Sequence, residues 1–113
     1  MVRYGLLVRL QARAGKEAEV GAFLREALEG VNQEDATRVW FGIRLDQSTF
    51  GIFDAFEDEA GRQTHLAGRV AADLVARAPD LLVRQPVIDH VDIVAAKLPD
   101  ESSVNAVSDR LLV

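Results

Sequence analysis

Two histidines, His65 and His90, are the only side chains of this 113-residue chain whose ordinary pKa lies near neutrality. Neither has a second His or a carboxylate at the i, i+4 spacing of a helical metal site, so no metal is expected. The absence of Cys removes disulfides, thiolate nucleophiles and iron–sulfur clusters. Glycines occur singly before a helix or within strands and match no phosphate-binding motif, so no nucleotide or other cofactor is expected. What remains is His65 with Asp54. A His held by a carboxylate in an apolar pocket is a general base, because the Asp fixes the tautomer and stabilises the imidazolium formed on proton uptake. The same two residues could instead satisfy one another at the edge of the core and tie a helix to the sheet. Phe41, Phe56 and Ile52 would wall the pocket on the reading that serves chemistry.

Other polar residues carry weaker signals. His90, between Asp89 and Asp92 on a strand, reads as a surface or subunit-interface residue. Trp40 with Arg38 and Arg44 could bind an aromatic or anionic ligand, although Trp and Arg are also enriched at subunit interfaces. Ser48, Ser102, Ser103 and Ser108 lack a nucleophile-elbow context.

The elements that must position these residues follow from periodicity. Arg3 to Ala12 is a β-rich run bounded by Ala-Gly at 14–15 and reads as a first strand. In the segment after Gly15, Val20, Phe23, Leu24, Ala27, Leu28 and Val31 form one apolar helical stripe, with Glu17 and Glu19 in the first turn and Gly30 near the end. Thr37 to Phe56 is two β-rich runs joined at Asp46-Gln47, a hairpin. A two-residue turn there pairs Leu45 with Ser48, which places Val39, Phe41, Ile43 and Leu45 on one face with Phe50, Ile52, Asp54 and Phe56. That face is expected to meet the helices. The same register sets Gly42 opposite Gly51 on the other face, where a second sheet could approach. Asp58 is an N-cap for a second helical segment that Gly68 interrupts and Pro79 follows. Leu82 to Ala96 contains the last strand.

The order βαββαβ specifies an α+β, ferredoxin-like domain: a four-stranded antiparallel sheet with its helices on one face. The other face is left uncovered, and a second copy could cover it, so a homodimer is expected. Residues 1–98 would form the domain and 99–113 a tail or arm, in which Val104, Val107 and Leu111 fall at helical spacing. A net charge of −5 and a pI near 4.9 argue against nucleic acid and anionic membranes as partners. No apolar run approaches the length of a membrane span and the N-terminus lacks signal-peptide character, so a cytoplasmic location is expected.

The stretch STFGIFDAFEDEAGRQTHL resembles the antibiotic biosynthesis monooxygenase family in its aromatic-rich strand, acidic residue, aromatic residue, acidic helix start and His followed by Leu. RLQARAGKEAEVGAFLREAL resembles that family's first strand and helix, and VIDHVDIVAAKLP its last strand, so residues from about 3 to 98 are covered. The resemblance implies a dimeric α/β barrel and oxidation of a small phenol, anthrone or quinol by molecular oxygen to a quinone, without a cofactor. It implies that Asp54 stands at a position usually acidic, Phe56 at one usually aromatic, and His65 at the family His, which would be the base. Haem-degrading relatives carry an Asn on the first strand, where this chain has Gly5, Leu6 and Leu7, and a second-helix Trp where His65 stands, which disfavours haem degradation. The alternative to a monooxygenase is a non-catalytic, small-ligand-binding stress protein, or an isomerase using His65 to move a proton.

Overall fold

The computed structural model describes residues 1–99. The tail expected at 99–113 lies, apart from Pro99, outside the described residues. Strands β1 (Tyr4–Gln11), β2 (Val39–Arg44), β3 (Thr49–Phe56) and β4 (Val87–Asp92) and helices α1 (Glu17–Val31), α2 (Glu59–Leu66) and α3 (Arg69–Leu81) follow in the order β1-α1-β2-β3-α2-α3-β4. The sheet order is β2-β3-β1-β4 and every pairing is antiparallel. This is the ferredoxin-like α+β arrangement expected from the element order.

The helices start and stop where local chemistry dictates. Gly15 takes a left-handed φ of 85°, and its N–H donates to Glu17 Oε1 at 2.9 Å at the entry to α1. Asp58 Oδ1 accepts from the Gly61 N–H at 2.7 Å, capping α2. Gly68 is the N-cap residue of α3 and separates the two helical pieces as expected. Pro79 sits inside the last turn of α3 rather than after it. Its ring removes only the bond to the Val75 carbonyl, a loss that a helix end tolerates.

One face of the sheet meets the helices. From β1 it contributes Leu6, Val8 and Leu10, and from β3 Phe50, Ile52, Asp54 and Phe56; of these Val8, Leu10, Phe50 and Ile52 meet Val20, Phe23 and Leu24 of α1 and Leu74, Ala78 and Leu81 of α3 in one core. The last strand is shorter than the Leu82 to Ala96 run that contains it.

The β2–β3 register differs from expectation by one residue. Phe41 pairs with Phe53, Gly42 with Ile52 and Trp40 with Asp54, and the glycines do not face each other. The cause is the turn, which holds three residues, Asp46, Gln47 and Ser48. Asp46 Oδ1 accepts from the Ser48 N–H at 3.0 Å and the Thr49 N–H at 2.8 Å, while the Leu45 N–H donates to Thr49 O at 2.8 Å. The Ser48 amide, with Thr49 and Arg44 in support, holds Asp46 below the usual carboxylate range. Because side chains alternate with a period of two, the slip turns β2 over. Trp40 faces the helices and packs on the core, and Phe41 faces away at 56% exposure. The expected position of Phe41 beside Phe56 is therefore incorrect, whereas the β3 half of that face stands as expected.

Among the described residues no helix is long and apolar enough to cross a membrane.

Gly30 marks a close approach of α1 and α3. A Cβ there would lie 2.8 Å from Val70 Cγ2, and Val70 is buried and stiff at χ1. Alanine is favoured over glycine in helices by about 1 kcal/mol, but overpacking costs about 1–3 kcal/mol, so the clash wins. Gly30→Ala is expected to destabilise by about 1 kcal/mol in urea denaturation, and adding Val70→Ala should reveal favourable coupling between the two changes. Simple additivity would show that the contact is not tight.

Candidate active site

Asp54 stands on the helix side of the central strand β3 and is 1% exposed, an unusual place for a carboxylate. Helix α2 crosses above it. His65, in the last turn of α2, brings Nε2 to 3.1 Å from Asp54 Oδ2 and Nδ1 to 2.6 Å from Glu34 Oε1. Glu34 follows the end of α1, and its Oε1 also accepts from the Thr37 hydroxyl at 2.7 Å. The Phe56 ring closes the site, its centroid 5.5 Å from that of His65 at 42° between planes. The result is a carboxylate–imidazole–carboxylate chain running from partly exposed Glu34 to buried Asp54.

Both contacts favour the imidazolium, because only that form carries an N–H on each nitrogen. Burial alone would lower the His65 pKa, but the Asp54 and Glu34 carboxylates outweigh it, and the net shift is upward from the ordinary value. Burial is also the largest influence on Asp54. It lifts that carboxyl above its usual range against the opposing pull of His65. The Asp54 contact is an ion pair when His65 is protonated, and His65 is the neighbouring charge that answers the buried carboxylate. The two carboxylates lie on opposite edges of the ring and cannot converge on one cation with it, and no metal-binding cluster occurs among the described residues.

The structure thus brings together His65, Asp54 and Phe56 of the expected residues. Ile52 lies in the core, two residues from Asp54 on the same face. Phe41 is on the opposite face. His90 is exposed on the edge strand β4. Sequence reasoning missed Glu34 and Thr37, which sit in irregular chain where no periodicity marks them. It also missed Arg62, 7% exposed, three residues before His65 on α2. Arg62 donates to the Gly5 carbonyl at 3.2 Å and the Val91 carbonyl at 3.3 Å, pairs with Glu59, and lies over the Tyr4 ring. The spacing of Arg62 and His65 at i, i+3 is the signal that could have found it: two polar residues on one helix face that must both meet the sheet.

These features define a ferredoxin-like α+β domain with a titratable chain buried between sheet and helix. The structure of a Nitrosomonas europaea protein of unknown function matches at 50% sequence identity and a TM-score of 0.86, over 88% of this chain and 97% of that one. The chain belongs to the same family as that protein. A candidate antibiotic biosynthesis monooxygenase from Caulobacter crescentus matches at 16% identity and a TM-score of 0.72, over 83% of this chain and 92% of that one. Another candidate antibiotic biosynthesis monooxygenase, also from Nitrosomonas europaea, matches at 11% identity and 0.74, over 85% and 94%. At those identities the likeness is one of fold. No protein-family model matches the chain, and no curated protein matches it.

The raised pKa values of His65 and Asp54 have the same sign in linkage. The folded state binds these protons more tightly than the unfolded state, so the stabilisation from His65 is complete below about pH 6.5 and is lost as pH rises through its folded pKa. In urea denaturation, His65→Gln should be less stable than wild type by about 3–5 kcal/mol at pH 5.5, the usual range for breaking a buried pair. The gap should narrow toward pH 9. A gap that widens with pH would mean that His65 is buried neutral.

Proposed function

We propose that the protein is a cofactor-independent monooxygenase that oxidises a small phenol, anthrone or quinol with molecular oxygen, and that it works as a homodimer. The observation that carries this reading is the buried Asp54–His65–Glu34 chain, which can accept and hold one proton. Such an oxidation begins with deprotonation of an electron-rich ring, after which the substrate itself supplies the electrons that reduce oxygen. For an anthrone, the ring methylene becomes a carbonyl: one oxygen atom enters the product, the other leaves as water, and no external reductant is needed. His65 receives the proton, and Asp54 and Glu34 stabilise the imidazolium from either side. Because the three groups are coupled, they titrate as a unit.

The homodimer reading rests on the face of the sheet turned away from the helices. Phe41 and Ile43 of β2 are 56% and 38% exposed there, and Phe53 and Val91 lie partly covered on the neighbouring strands. A second copy pressed against this surface would remove it from water. Phe41→Glu is expected to yield monomers in sedimentation velocity where the wild type sediments as a dimer.

A second reading is favoured by the engagement of both ring nitrogens and the 7% exposure of His65: the chain is a tie between α2, β3 and the segment after α1, and the protein binds a ligand without turning it over. Oxygen consumption and quinone formation separate the two. The monooxygenase should consume oxygen with a panel of anthrones and hydroquinones, and His65→Gln should slow it by about 100-fold or more. Because a protonated His65 cannot take the substrate's proton, the wild-type rate should rise with pH through a midpoint above 6.5. Asp54→Asn should move that midpoint down. No oxygen uptake by wild type with any of these substrates would leave the tie as the reading.

A further inference from the structure

Between α1 and β2 lies a groove of about 560 Å³, within the range of small-ligand sites. Its walls include Gly21, Leu24 and Arg25 from α1, Trp40 and Arg44 from β2, and Phe50 from β3. Glycine keeps it open on both sides. A Cβ on Gly21 would lie 3.7 Å from Arg25 Nη1 and 3.9 Å from Phe50 Cε2, and one on Gly42 would lie 3.3 Å from Leu24 Cβ. Gly21, inside α1, lowers helix propensity relative to alanine and leaves the space above it unfilled.

The chain carries a net charge of −5, yet this groove holds two guanidinium groups. Arg44 is fixed by two bonds to carbonyls of the turn, Nε to Asp46 O at 3.2 Å and Nη2 to Gln47 O at 2.5 Å, and lies over the Phe50 ring, 5.0 Å from its centroid. Arg25 lies back over Gly21 toward the same ring and has no hydrogen bond or ion pair among the described residues. The one carboxylate in the lining, Glu17, already accepts from the Gly15 N–H. Away from the guanidinium groups stands Trp40, whose indole N–H is buried and meets no acceptor among the described residues.

We propose that this groove binds planar aromatic carboxylates, with the carboxylate on Arg25 and Arg44 and the ring system running along β2 toward Trp40. Guanidinium groups recognise carboxylates through charge-assisted hydrogen bonds; Arg25 can pair both carboxylate oxygens, Arg44 adds its remaining Nη1, and the indole of Trp40 supplies a flat apolar wall. Trp40 is the cross-strand neighbour of Asp54 on the same face of the sheet, so the inner end of such a ligand arrives beside the buried carboxylate. The binding proposal goes beyond the oxidation proposed above and does not depend on it, because oxygen uptake is not its readout.

The test is calorimetric titration of the full chain with 1-hydroxy-2-naphthoate and with 1-naphthol, its uncharged counterpart. The indole N–H resonance of Trp40, the only tryptophan of the chain, is followed in parallel by NMR. Hydroxynaphthoate should bind saturably, at least about tenfold more tightly than naphthol, and should shift the Trp40 resonance. Arg25→Gln, a change at an exposed residue, should weaken hydroxynaphthoate about tenfold and leave naphthol within about twofold. The proposal is overturned by any of three results: no saturable binding of hydroxynaphthoate, an advantage over naphthol that survives Arg25→Gln, or a Trp40 resonance unmoved at saturation.

Discussion

A carboxylate buried on the inner face of a central strand has to be answered by a neighbouring charge, and the placement of α2 follows from that demand. An isolated buried carboxylate costs several kcal/mol even after relaxation, and Asp54 is 1% exposed. Helix α2 is eight residues long, too short to be stable in isolation. Its position comes instead from tertiary contacts at two places on one face. His65 reaches Asp54, and Arg62 reaches the carbonyls of Gly5 on β1 and Val91 on β4. Glu34 closes the arrangement from the other side of the imidazole and links it to the segment between α1 and β2. A polar set thus locates α2 over a core that is otherwise aliphatic and aromatic.

The order of elements was legible because periodicity reports it directly. The stripe of Val20, Phe23, Leu24 and Val31 could only be a helix, and its residues are buried as that stripe requires. Asp58 and Gly68 mark the boundaries of the later helices by their own chemistry. The meeting of Asp54 with His65 was legible as a possibility, since strand phase put Asp54 on the face that meets the helices and His65 falls within the second helical segment. What sequence could not show was the parity of β2. Two adjacent strands share a face only through the turn that joins them, and Asp46-Gln47-Ser48 closes with one residue more than the shortest hairpin. The error therefore propagated along the whole strand and exchanged Phe41 with Trp40. Glu34 was invisible for a different reason, because a side chain in irregular backbone has no phase from which its direction can be read.

With β2 in its actual register, the functional features fall on two sides of the sheet. The inner side holds the titratable chain and, past Trp40, the groove with its two guanidinium groups. The outer side holds the exposed ring of Phe41 and the partly covered ring of Phe53, with no comparable polar chain among the described residues. The single tryptophan therefore stands between the buried carboxylate and the concave surface. The aromatic ring that β2 turns toward the helices beside Asp54 is not phenylalanine but indole, which carries a donor as well as an apolar plane.

The hairpin turn held by Asp46 has a bearing on how this fold can diverge. Length changes in surface loops are commonly tolerated with little structural cost. Here, removing one residue between Leu45 and Thr49 would rotate the whole edge strand by half a turn about its axis, carrying the indole to the outer surface and two aliphatic residues and a phenylalanine into the interior. A one-codon deletion would in that sense act as several simultaneous replacements. Descendants that differ at this loop by an odd number of residues should differ in what they bind and in how they assemble, even where every strand residue is retained.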